Sequence, residues 1–287
     1  MVTRHFLTAM AASMALLAAL APHASASPAD IAKCDELAAL PNDPDNPPDI
    51  KGRQNVPPRE VAAALAACKA AAATADAPRR TLFELGRIYE FNRQPAEAAK
   101  AYRRAVEAGS TTAMVGLGAL YATGKGVARN PAETRKLFTR AAEAGNPIGM
   151  SNLGSLYGAG IGVRVDFTMA RNWYAKAAAL NDVEAMFQLG LMNEGGDGGP
   201  KDDAAAKAWF EKAAALDHAG ALEQLGEYAE AGRAGPKDQE AAMAFYKKAA
   251  ELGDEDAADA LKRLRCPFVL KDKNGKPAGN ICFDGRN

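Results

Sequence analysis

One interval governs this chain. Ala105, Ala141, Ala177, Ala213 and Ala249 stand 36 residues apart, and three residues before each comes an aromatic: Tyr102, Phe138, Tyr174, Phe210 and Tyr246. The dipeptide Leu-Gly recurs at the same spacing at Leu117-Gly118, Leu153-Gly154, Leu189-Gly190 and Leu225-Gly226; an earlier copy, Leu85-Gly86, stands 32 residues before the first of these. A period of this length marks a stack of supersecondary units, none of which buries its apolar face alone.

Each unit reads as two helices joined by a glycine-rich turn. In the third, Ile148 to about Gly158 forms the first helix, with Leu153, Leu156 and Tyr157 on one stripe. Gly160 and Gly162 then break it. Their counterparts are Gly124 and Gly126, and Gly196 and Gly198; the last repeat keeps Gly232 but has Ala234 at the second place. Glycine is wanted there because the turn needs positive φ or a close backbone approach. The second helix starts at Asn130, Asp166, Asp202 or Asp238, whose side chains can accept a bond from a first-turn amide. Pro131 and Glu133 add a first-turn proline and a capping-box glutamate. It ends at Gly109, Gly145, Asn181, Asp217 or Gly253, residue types that tolerate the left-handed conformation. Alanine pairs such as Ala177-Ala178 let helices approach closely, and much of the 48% apolar content is alanine, which favours packed helices over a large β-core.

Both ends of the array depart from the pattern. Leu85 and Ala105 are 20 residues apart, against 24 elsewhere, so the first unit lacks four residues of its turn. At the far end Ala257 and Leu261 match a first helix, but Lys262 replaces the glycine, and Arg263 and Arg265 suit a helix with one face in water.

The run Leu153-Gly154, Tyr157, Gly160-x-Gly162-Val163, Asp166, Ala170-x-x-Trp173-Tyr174-x-Lys176-Ala177-Ala178 resembles the Sel-one-like repeat, a relative of the tetratricopeptide repeat. The resemblance covers about residues 111–265, with 76–110 closer to an ordinary tetratricopeptide hairpin. It implies an all-α, right-handed solenoid that acts as a scaffold for protein partners, and, since exported members are frequent in bacterial envelopes, a periplasmic or secreted location. The expected organisation is a signal peptide at 1–26, an N-terminal helical cap at 27–75 and the tetratricopeptide-like repeat at 76–110. Repeats at 111–145, 146–181, 182–217 and 218–253 follow, then a capping helix at 254–265 and a C-terminal β-hairpin at 266–287.

The N-terminus carries the export signal. Arg4 and His5 precede an apolar stretch from Phe6 to Ala21, and Ala24-Ser25-Ala26 supplies a small-x-small cleavage site. The stretch is short for a bilayer span, and no later one approaches that length. All four cysteines follow the cut, as two flanking pairs: Cys34 with Cys68, and Cys266 with Cys282. An even count in an exported chain argues for disulfides. Three connectivities are possible; pairing within each end is favoured because the repetitive middle holds the ends apart. Zinc is the competitor, with unsuitable spacings and no nearby histidine. Within 27–75, Ala29–Leu40 and Arg59–Ala73 read as helices around a loop rich in Pro, Asp and Asn. Asn274-Gly275 signals the turn of the terminal hairpin; a three-residue loop pairs Asp272 with Lys276 and sets Cys266 opposite Cys282, whereas a two-residue turn offsets them.

The usual chemistry is missing, and no catalytic residue, cofactor or metal site is expected. Formal charge is zero, without the basic surplus of a nucleic-acid binder. The one histidine after the cut, His218, sits where other repeats have Ser110, Asn146, Asp182 and Asp254, and reads as a polar turn residue. There is no Ser-x-x-Lys. Gly158-Ala159-Gly160-Ile161-Gly162 follows a helix rather than a strand, so it is repeat punctuation, not a dinucleotide loop. Asp43, Asp45 and Asp49 lack the glycine and closing glutamate of a calcium loop. Trp173 and Trp209 recur at the repeat interval and read as packing.

Solenoids of the resembled family present the first helix of each hairpin on the concave side. Positions two before and two after the repeat leucine then face the groove: Phe83 and Arg87, Val115 and Ala119, Ser151 and Ser155, Phe187 and Leu191, Glu223 and Glu227. They change chemistry from unit to unit while the packing positions do not. The first reading is therefore a non-enzymatic periplasmic scaffold, adaptor or regulator binding a protein or peptide, with no nucleic acid and no membrane span after signal cleavage. Phe187 and Leu191 would form its apolar anchor, and Glu223 and Glu227 an acidic end favouring a basic partner. The second is an exported envelope hydrolase of β-lactamase or peptidoglycan-acting type. Cysteine-rich relatives linked to β-lactam hydrolysis carry a disulfide within each repeat, whereas the 36-residue repeats here contain no cysteine.

Overall fold

The structure, a computed structural model, describes residues 26–41, 43–265, 268–271 and 277–281. The expected signal peptide, apart from Ala26, lies outside the described residues. From Pro28 to Arg265 the described chain is helices and their connections, the longest of which, 39–57, joins α1 to α2. The cap holds α1 (Pro28–Ala38) and α2 (Pro58–Ala71). Five helical hairpins follow: α3 (Arg79–Phe91) with α4 (Pro95–Glu107), α5 (Thr111–Thr123) with α6 (Pro131–Glu143), α7 (Pro147–Ala159) with α8 (Phe167–Ala178), α9 (Val183–Gly195) with α10 (Asp203–Ala214), and α11 (Ala219–Ala231) with α12 (Gln239–Glu251). A single helix, α13 (Glu255–Arg265), closes the array. Each helix packs on the next, so the chain is an α-solenoid.

The repeat residues do the packing. Leu85, Leu117, Leu153, Leu189 and Leu225 are all buried, as are the five ring-bearing residues Tyr102, Phe138, Tyr174, Phe210 and Tyr246. Each ring lies across the glycine that follows the repeat leucine. The terminators adopt the left-handed backbone that their side chains permit: φ is +87° at Gly109, +86° at Gly145, +63° at Asn181, +59° at Asp217 and +95° at Gly253. Ala234 keeps φ at +51° although it lacks the freedom of glycine, and Arg93, at +57°, makes the left-handed residue of the shortened first turn.

Helix starts are tied by side chains. Asn130, Asp166, Asp202 and Asp238 each accept from the amide three residues on, at 2.9–3.1 Å. Ser110, Asn146 and Asp182 do the same for the first helices of their hairpins. Inter-repeat ties add to the stack: Arg233, in the turn after α11, pairs with Glu194 of α9 and Asp203 of α10.

The cap is stapled by a Cys34–Cys68 disulfide. Its helices begin one residue earlier and end two residues earlier than expected. Asp35, buried in α1, takes two bonds from Arg80 of α3, at 3.1 and 3.2 Å, and Arg104 of α4 donates to the Ala72 and Thr74 carbonyls beyond α2.

After α13, β1 (Phe268–Lys271) and β2 (Pro277–Ile281) pair antiparallel. Lys271 stands opposite Pro277 and Phe268 opposite Ile281, with an irregularity in the register between Leu270 and Lys271. The turn and both C-terminal cysteines lie outside the described residues, so a closed Cys266–Cys282 hairpin remains an expectation.

Candidate interaction surface

The five first helices, α3, α5, α7, α9 and α11, carry the ten expected groove positions, and the array treats its two ends differently. Phe83 and Arg87 do not face an open groove. Phe83 is 3% exposed and stacks on Tyr102, with ring centroids 5.8 Å apart. Arg87 is 7% exposed, and its guanidinium is spent on backbone: it donates to the carbonyls of Ala38 at 2.5 Å, Arg53 at 3.1 Å and Gln54 at 2.9 Å. The non-repeat segment between α1 and α2 therefore covers the first station. A repeat period cannot foresee this, because the covering residues lie outside it.

From α5 onward the positions open. Val115 is half-buried and Ala119 exposed. Ser151 is buried, a second departure from the expected groove. Ser155 is exposed, and its hydroxyl meets that of Tyr174 at 2.9 Å. With Gly158, Tyr174, Gln188, Leu191 and Met192 it lines a cleft of 440 Å³ between α7 and α9. Phe187, half-buried, stacks on the ring of His218 at 4.5 Å.

Glu223 is half-buried and Glu227 exposed. Burial, and then the neighbouring charges of Glu227, Asp254 and Asp256, push the Glu223 carboxyl above its ordinary range. A cation placed beside Glu223 would relieve this crowding of carboxylates. Gln188 was not among the expected positions. A signal for it exists: Asn152, Gln188 and Gln224 stand one residue before successive repeat leucines, and all three are half-buried.

The chemistry that His218 could perform is committed elsewhere. Its Nδ1 accepts from the Ala221 amide at 3.1 Å, capping α11 as aspartate caps α9, and its Nε2 lies 3.4 Å from Glu184. That bond to His218 holds the Glu184 carboxyl below its ordinary range. Neither ring nitrogen addresses a hydroxyl or a thiol. Cys34, Cys68 and Glu84 come within metal-ligand reach of one another, but the two sulfurs are joined and have no thiolate to give. Among the described residues no helix is long and apolar enough to cross a membrane.

A sequence model of the Sel1 repeat matches four consecutive segments, 111–146, 147–182, 183–218 and 219–254. The chain belongs to the Sel1 repeat family. The four segments coincide with the hairpins whose turns keep full length. Among solved structures, a Sel1 repeat protein from Oxalobacter formigenes is 32% identical, with a TM-score of 0.62 over 65% of this chain and 78% of that one. The protective antigen c5321 of uropathogenic Escherichia coli, which displays an SLR fold, is 28% identical, with a TM-score of 0.62 over 75% of this chain and 45% of its own. This chain thus spans less than half of c5321. No curated protein matches it. Sel1 repeats are in general scaffolds for protein–protein interaction, and the fold is typically non-catalytic.

Proposed function

We propose that this Sel1 repeat protein is a non-enzymatic periplasmic scaffold or regulator that holds a protein or peptide along the first helices of its open repeats, α5 to α11. The observation that carries this reading is the graded, uncapped row of groove positions. Small side chains at Ala119 and Ser155 give way to Phe187 and Leu191, and then to the carboxylates Glu223 and Glu227. Such a row accepts an extended partner with an apolar anchor and a basic end. The covered first station sets where the partner begins, beyond Arg87. The export-type N-terminus and the Cys34–Cys68 bond support an oxidising compartment.

Photo-crosslinkers placed at Phe187 and Glu223 in living cells test the proposal. Capture of one defined protein from both positions is the expected result; background labelling alone would overturn it. The hydrolase reading draws no support from the geometry, since His218 is occupied as a cap.

A further inference from the structure

A second ladder follows the repeat interval on another edge of the solenoid. The residue three past each repeat alanine is Ala108, Ala144, Leu180, Leu216 and Leu252. The leucines share one place, the turn that ends the second helix, and one backbone bond. Their amides donate to Ala177 at 2.9 Å, to Ala213 at 3.0 Å and to Ala249 at 3.0 Å. They are 50%, 50% and 44% exposed, among the most exposed large apolar side chains described. The turn itself does not require leucine, because Ala108 and Ala144 make it with a methyl group. Apolar exposure repeated at one register position suits a surface that another chain covers.

The N-terminal end of the same edge shows what kind of chain it holds. The segment between α1 and α2 carries Pro41, Pro44, Pro47 and Pro48, and it runs without helix past the starts of α3 and α5. Arg79 pairs with its Asp45 at 2.5 Å, and Thr112 donates to its Asp43 at 3.1 Å. Beside Pro41 and Pro44 opens a cleft of 530 Å³, whose far wall is formed by Pro147, Ile148, Leu180 and Val183. Ile148 is itself 43% exposed. The ladder residue is alanine in the two repeats nearest the chain's own segment, and both alanines are exposed, so the segment lies beside the ladder, on the starts of α3 and α5; in the three repeats beyond it is leucine.

We infer that this edge is a second docking surface, continuous with the intramolecular one, and that its occupant is an extended, proline-containing apolar segment of a partner protein. The segment enters at the cleft beside Leu180 and runs along Leu216 and Leu252. Carboxylates of Asp182 and Asp254 follow Leu180 and Leu252 by two residues, while Asp217, one after Leu216, is paired with Lys248; the occupant is therefore not acidic beside Leu180 and Leu252, unlike the chain's own Asp-rich segment. This surface meets the groove at one point, where Phe187 stacks on His218, two residues after Leu216.

The test selects peptides from a random display library on the immobilised full chain and measures a selected synthetic peptide against variants. Enrichment of apolar, proline-containing peptides is expected. Affinity should fall by at least about tenfold in the triple variant L180A, L216A, L252A, and stay unchanged in the groove variants Leu191→Ala and Glu223→Gln. Alanine is the residue the first two repeats already use there, so the triple variant keeps the turn; an unchanged helical melting curve checks this. Absence of enrichment would overturn the inference. So would peptides lost only in the groove variants, which would assign them to the surface proposed above. Sedimentation showing a dimer that the triple variant abolishes would instead give the edge to a second copy.

Discussion

Phe210 lies so close over Gly190 that a β-carbon on the glycine would sit 2.3 Å from its Cε1. The same relation holds for Gly86 under Tyr102, Gly118 under Phe138 and Gly226 under Tyr246, at 2.3–2.5 Å. The two most regular features of the sequence, the Leu-Gly dipeptide and the aromatic before the repeat alanine, are thus the two halves of one contact.

Gly190→Ala is therefore expected to destabilise the array by about 1–3 kcal/mol, the usual range for overpacking. Propensity alone predicts the opposite sign, since alanine is better than glycine by roughly 1 kcal/mol inside a helix. Gly154, where the clearance to Tyr174 is 3.1 Å, should suffer less. Denaturant midpoints of the two variants decide it.

His218 acts as a cap, so its replacements should rank by capping ability rather than by acid–base character. His218→Asp should keep stability close to that of the native chain, while His218→Ala should lose about 1 kcal/mol. Thermal melts of both variants supply the check. A melt in which Asp is as harmful as Ala would mean that stacking on Phe187, not the bond to Ala221, is what matters.

Removing the Cys34–Cys68 bond should loosen the cap before the repeats. The bond spans 34 residues of sequence, and closing a loop of that size is worth about 3–4 kcal/mol in the chain-entropy model. A Cys34→Ser, Cys68→Ser chain should show faster amide exchange in α1 and α2 with little change in α9 to α12. Uniform acceleration would mean that the array unfolds as one unit.

Glu84 gives the cap a pH dependence. Its side chain is fully buried with Oε1 unpartnered, and burial, aided by the charge of Asp35, pushes its pKa up to about 9 from 4.5. The folded state then binds a proton that the unfolded chain has lost. The stability from this group is full below 4.5 and declines as pH rises towards about 9. Glu84→Gln should flatten that decline. Denaturant titrations followed at both ends of the window read it directly.

How much of this was legible in the sequence divides at the edge of the periodicity. The interval gave the hairpins, their left-handed terminators at Asn181 and Asp217, and the caps at Asp166 and Asp202, because each depends on local geometry that a residue type reports. Even the capping role of His218 could be read from its place in the register. The accessibility of Phe83 and Arg87 could not. Arg87 is closed by a part of the chain more than 30 residues away, three of whose carbonyls it takes, and Phe83 by its packing on Tyr102. Ser151, at the same place in its helix as Phe83, is also buried, so the position two before the leucine is not exposed by its register alone. Gln188 was missed because the register was read only at two positions per helix.

The most direct test of the groove is the salt-dependent affinity of the partner captured at Phe187 and Glu223. Phe187→Ala should weaken binding by about tenfold or more with the salt slope unchanged, while Glu223→Gln with Glu227→Gln should flatten that slope. Affinity and slope that match the native chain in both variants would contradict a partner seated on α9 and α11.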